Sequence, residues 1–115
     1  MELELTIYTD RTLKEIEKKY ATSDFKLSTG VAEDLLDLIN IDMFTGELEE
    51  NQQLGELLKV VVKGKNAFKD ILKNVFDGLT DDECSRTDLK EFVRVVYNII
   101  TYTIGNLFSI ADEKN

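Results

Sequence analysis

From Ile71 to Ile104 the chain reads ILKNVFDGLTDDECSRTDLKEFVRVVYNIITYTI, and no other stretch constrains the fold as strongly. It reads as the end of a helix, a glycine stop, a capped turn and a long apolar helix spanning about Leu89 to Phe108. Leu89, Phe92, Val93, Val96, Ile99, Ile100, Thr103, Ile104 and Leu107 recur at steps of three and four, which lays them on one wide stripe. Val95 and Tyr102 lie off that stripe, and Phe108 and Ile110 extend it past Gly105. After Arg94 no charge appears until Asp112. A helix apolar on more than one face is either central in its own molecule or shared with another chain. On the second reading Val95, Tyr102, Phe108 and Ile110 are the candidate contacts, in a groove for an amphipathic helix or in a homo-oligomer formed through this helix.

The rest of the chain is read around that helix. Leu3, Leu5 and Ile7 alternate with Glu2, Glu4, Thr6 and Tyr8, which predicts a strand with one wet face. Asp10 and Arg11 make a turn. Thr12 to Tyr20 admits two readings: Leu13, Ile16 and Tyr20 stand at helical spacing, but a lone strand needs a partner for its backbone, which favours a hairpin. Ser28 or Thr29 can cap a helix whose first turn holds Glu33 and Asp34 and whose face is Val31, Leu35, Leu38 and Ile39. Ile41, Met43 and Phe44 read as buried residues of a short link. A further helix is predicted over Glu47 to Val62, with Leu54, Leu57, Leu58, Val61 and Val62 inward, and a third after a cap at Asn66, ending at Gly78. Thr80 and Glu83 have the spacing of a capping box, and Thr87 or Asp88 caps the last helix. The absence of proline suits such a run of helices. The expected fold is mainly α: a single domain over 1–115, with a strand or hairpin in 1–27, a bundle of about four helices in 28–110 and a tail in 111–115.

Composition narrows the chemistry. There is no histidine, so histidine-based triads and zinc sites with histidine ligands are excluded, and the lone Cys84 makes neither a structural zinc site nor an internal disulfide. No glycine-rich phosphate loop is present. Asp77, Asp81, Asp82, Glu83 and Asp88 crowd one turn, yet without the alternation and central glycine of a calcium loop; capping of two helix starts accounts for them. Cys84 follows a helix cap, a place where a thiol pKa can drop, and with only Arg86 nearby it reads as packed or idle. No catalytic, metal or cofactor site is expected.

MELELTIY lacks the basic and apolar regions of a secretory signal, and Val95 to Ile110 is too short and too polar to span a membrane, so a soluble protein is expected. The net charge of −9 argues against nucleic acid as a partner. Its distribution is uneven. Leu27 to Leu58 has no Lys or Arg and a local net of −8, whereas Lys59 to Phe76 carries five lysines against Asp70. Two solvated faces attracting each other across a turn explain this; a polar docking surface is the alternative.

Phe76, Gly78, Leu79, Thr80, Glu83, Arg86 and Thr87 stand in the pattern Phe-x-Gly-Leu-Thr-x-x-Glu, then Arg-Thr, ahead of a long apolar helix. With the strand LTIY and the segment TGVAEDLLDLINID, this resembles the tail assembly chaperones of long-tailed phages and prophages of Gram-positive bacteria. The resemblance covers about two thirds of the chain. Asp77 departs from it, standing where the pattern favours proline. It implies a non-enzymatic protein of the bacterial host cytoplasm, absent from the finished virion. Its partner would be the tape-measure protein, with the tail tube protein a further candidate, and its task to keep a long, apolar-striped helical protein from aggregating. Two other readings stand beside it: an acidic inhibitor or anti-defence protein that offers carboxylates to a basic host protein, and a structural component of the tail.

Overall fold

In the structure, a computed structural model, residues 2–46 and 48–113 are described, with side chains as far as Gly105 except that of Thr45. β1 (Leu3–Tyr8) and β2 (Ile16–Thr22) form an antiparallel hairpin, from Leu3 opposite Thr22 to Ile7 opposite Lys18. A bulge then sets Tyr8 opposite Ile16. Asp10 organises the connecting turn by accepting the Thr12 amide at 2.8 Å, and Leu13 adopts the left-handed conformation, φ 60°. Thr12 to Tyr20 therefore resolves as turn and strand.

Leu3, Leu5 and Ile7 are buried, as their alternation requires. Thr6, expected on the wet face, is buried as well. The last helix covers it: Glu91 accepts both the Thr6 amide and, at 3.1 Å, its hydroxyl. The outward edge of β1 is thus occupied, whereas β2 is exposed along most of its length and carries Glu17, Lys18 and Lys19, charges that discourage further strand pairing.

Six helices follow among the described residues. Four run ten residues or more: α1 (Thr29–Leu38), α3 (Glu50–Lys63), α4 (Lys65–Val75) and α6 (Leu89–Glu113). Two are single turns, α2 (Asp42–Thr45) and α5 (Asp81–Cys84). Ser28 caps α1 through the Val31 amide at 3.1 Å. α3 begins at Glu50, later than periodicity suggested, because Glu49 and Gln52 form a capping box there. α4 is capped by no side chain; it starts directly from Gly64, which also ends α3, so Asn66 lies inside it. The link before α3 is not a buried one: Ile41 is exposed and Met43 and Phe44 are half-buried around α2.

α6 is the central element, packed across β1 on one side and α3 on the other. Phe92, Val93, Val96, Ile99, Ile100 and Ile104 are all buried in the cluster that also takes in the hairpin's leucines and Leu57, Phe68 and Leu72. Each such side chain contributes about 1.5–3 kcal/mol by leaving water, which explains why this helix is apolar nearly all round. Leu89, at its start, departs from the expected stripe: it is 49% exposed.

Candidate functional site

The residues singled out between Phe76 and Thr87 build one local device. Phe76 and Leu79 are buried, and between them Gly78 turns the chain with φ 87°, a conformation open to glycine and strained for other residues. Thr80 and Glu83 form the capping box at α5: the Glu83 amide donates to the Thr80 hydroxyl at 3.1 Å, and the Thr80 amide donates to the Glu83 carboxylate at 3.0 Å. Thr87 donates to the Cys84 carbonyl at 2.8 Å.

Capping is only half of what Glu83 does. Its carboxylate, 5% exposed, also accepts the Tyr20 hydroxyl at 2.7 Å and pairs with Lys18, both from β2. Burial pushes the Glu83 carboxyl up, but the hydrogen bonds from Lys18, Tyr20 and the Thr80 amide outweigh it and hold the pKa at about 2. Arg86 repeats the connection from the other side. Its guanidinium donates to the Tyr8 carbonyl at 2.7 Å and to Glu17 at 3.1 Å, while the Tyr8 amide donates to the Arg86 carbonyl at 2.9 Å. The Tyr20 hydroxyl, its one proton directed at Glu83, also lies 3.2 Å from the Gly78 carbonyl. The motif is a clamp that fastens the hairpin to the α5 turn. Its capping half is legible in sequence; its hairpin half joins residues 58 to 78 positions apart and left no local signal.

The four candidate contacts on α6 separate. Val95 is 5% exposed and offers no surface, because α6 is enclosed on the flank that periodicity left open. Tyr102 is 38% exposed, with its ring tilted against Phe25 at 5.1 Å. Phe108 and Ile110 lie outside the residues whose side chains are described.

Exposed apolar surface gathers instead along the seam where α3 and α6 run side by side. The two helices are antiparallel there: near the start of α3 Tyr97 donates to Gln53 at 2.7 Å, while Val62 at its far end lies with Leu89 at the start of α6. Towards the other end, Leu58, Val62 and Leu89 are 39%, 55% and 49% exposed. Two hollows lie end to end on this seam. One, of about 260 Å³, has Leu54, Leu58 and Val93 as its floor and Lys90 and Arg94 at its edge. The other, of about 220 Å³, sits among Val62, Leu89 and Phe92 with Lys65 and Lys69 beside it. Sequence periodicity assigned Leu54, Leu58, Val62 and Leu89 to the core, and nothing local distinguished them from residues that do reach it.

A third hollow, about 320 Å³, opens between α1 and α4, with Val31, Leu38 and Ile71 as apolar lining and Asp34, Asp37 and Asp70 around it. The expected attraction between the acidic segment and the lysines after it is realised at a single ion pair among the described residues, Glu56 with Lys59 at 3.4 Å. Glu50 turns to Arg94, and Lys73 to Asp81 at 2.8 Å and Asp70 at 3.3 Å.

Cys84 is buried, and that burial pushes its thiol up, opposite to the lowering its place after a cap suggested. Among the described residues no three His, Cys, Asp or Glu side chains are grouped to hold a metal ion, and no helix is long and apolar enough to cross a membrane. Compared with known proteins, the chain matches no family model, no curated protein and no solved structure.

Proposed function

We propose that this chain is a helix-binding assembly chaperone of a long-tailed phage or prophage, and that it holds the apolar stripe of the tape-measure protein until the tail tube forms around it. The observation that carries the reading is the α3/α6 seam, where Leu58, Val62 and Leu89 remain open to solvent beside two apolar-floored hollows. Two helices side by side leave a furrow that a third helix fills by ridge-into-groove packing. The pattern from Phe76 to Thr87 adds the resemblance to tail assembly chaperones. On this reading the protein acts in the host cytoplasm and is missing from purified particles.

The test is co-expression with the tape-measure protein of the same phage, scored by how much of that protein stays soluble. The wild type should raise the soluble fraction several-fold, and the variant Val62→Gln/Leu89→Gln should remove the gain while keeping its helical circular dichroism. A folded double variant that solubilises as well as the wild type overturns the assignment of the seam.

The acidic hollow between α1 and α4 favours a second reading, a carboxylate-presenting inhibitor of a basic protein. Binding through Asp34, Asp37 and Asp70 would weaken steeply with salt, since exposed charges are screened within about 8 Å at physiological ionic strength. Binding indifferent to salt removes that reading.

A further inference from the structure

The charge around the seam is opposite in sign to that of the whole chain. The protein carries −9, yet the two seam hollows are bordered by Lys65, Lys69, Lys90 and Arg94. Lys65, Lys69 and Lys90 make no ion pair among the described residues. Arg94 meets Glu50 at 3.5 Å with both side chains 60% exposed, a loose pair that a better-placed carboxylate can replace. The remaining carboxylate on the exposed part of α3, Glu56, is engaged by Lys59. Cations therefore flank both ends of an apolar strip made by Leu54, Leu58, Val62 and Leu89.

We propose that the α3/α6 seam selects an amphipathic helix whose apolar stripe is flanked by Asp and Glu. This deepens the chaperone reading and rests on it only for the premise that the seam is a docking face. Along α3 the two hollows follow one another, one lined by Leu54 and Leu58 and the next by Val61 and Val62. Successive hollows of this kind suit the apolar anchors that recur along one face of a helix lying in the furrow. The anchors fill the hollows, and the flanking carboxylates meet Lys90 and Arg94 at one hollow and Lys65 and Lys69 at the other. Selection operates at contact range. The net negative charge of the chain repels an acidic partner at a distance, but beyond about 8 Å that repulsion is screened at physiological salt, whereas pairs formed on partial desolvation are not. A partner helix flanked by lysine would set four like charges against the rim and is rejected.

The experiment uses the full chain and two synthetic helical peptides of about 18 residues with the same leucine stripe, one flanked by Glu and one by Lys, each followed by fluorescence anisotropy. The Glu-flanked peptide is expected to bind roughly tenfold or more tightly than the Lys-flanked one, as several modest charge pairs sum. The variant Lys90→Glu/Arg94→Glu should abolish or invert that preference, and Val62→Gln/Leu89→Gln should weaken both peptides. Equal binding of the two peptides, or preference for lysine flanks, overturns the proposal. So does concentration-dependent self-association in sedimentation that Val62→Gln/Leu89→Gln dissolves, because the occupant would then be a second copy. Failure to keep a tape-measure protein soluble, with the peptide preference intact, would remove the chaperone function and leave the selectivity standing.

Discussion

The α5 turn and the α3/α6 seam treat their side chains in opposite ways. At the turn, Glu83 is buried and every partner it needs is supplied, from Thr80 beside it and from Lys18 and Tyr20 on the hairpin. No buried side-chain polar atom among the described residues lacks a hydrogen-bond partner. At the seam the situation is reversed: apolar side chains remain in water and three lysines stand without ion-pair partners among the described residues. A fully satisfied polar cluster stabilises its own molecule and has nothing left to offer another. An unsatisfied apolar strip contributes little to its own fold and has much to gain from a partner. Stability and binding should therefore be separable by mutation.

The strongest break of that comparison is Glu83→Ala. It leaves the Thr80 amide uncapped and removes the acceptor that holds β2, and should cost about 3 kcal/mol. In a domain of this size that lowers the midpoint of thermal unfolding by roughly 10 °C or more, measurable by calorimetry. Acid should act on the same group with a smaller effect. The folded pKa, about 2, lies below the ordinary value of 4.5. The stabilisation is therefore complete above about pH 4.5 and is lost as pH falls towards 2, on the order of 2 kcal/mol. Urea midpoints taken from pH 6 down to pH 2.5 should follow this decline, and in Glu83→Gln the decline should be markedly shallower.

Gly78→Ala sharpens the comparison at intermediate size. Open space surrounds Gly78, so no clash arises, and the whole cost is the positive φ, about 1 kcal/mol. Smallest of all should be Val62→Gln/Leu89→Gln, within roughly 0.5 kcal/mol of wild type, since both positions are about half exposed and glutamine suits a helix. A loss of more than 2 kcal/mol there, by the same denaturation assay, would mean that the seam belongs to the core and would dissolve the contrast.

How far the sequence reached depended on the range of the interactions concerned. The strand at Leu3 to Tyr8, the Thr80–Glu83 box, the glycine turn at Gly78 and the start of α6 all follow from neighbours within a few residues, and each was legible. The start of α3 was displaced to Glu50 because Glu49 and Gln52 form a capping box there. The reading of Val95 as a surface residue failed for a physical reason: periodicity places a residue on a helix but does not say how many neighbours surround that helix.

By itself the sequence determined that this chain is mainly helical, where the Thr80 cap and the Gly78 turn fall, and that no histidine-based chemistry is open to it, because those properties depend on residue type and local spacing. Only the tertiary structure decided that Glu83 and Arg86 clamp the hairpin, that Val95 is enclosed, and that Leu58, Val62 and Leu89 stay exposed beside a basic rim. Those outcomes depend on which faces of distant segments meet, and the burial of an apolar face is settled by what packs against it.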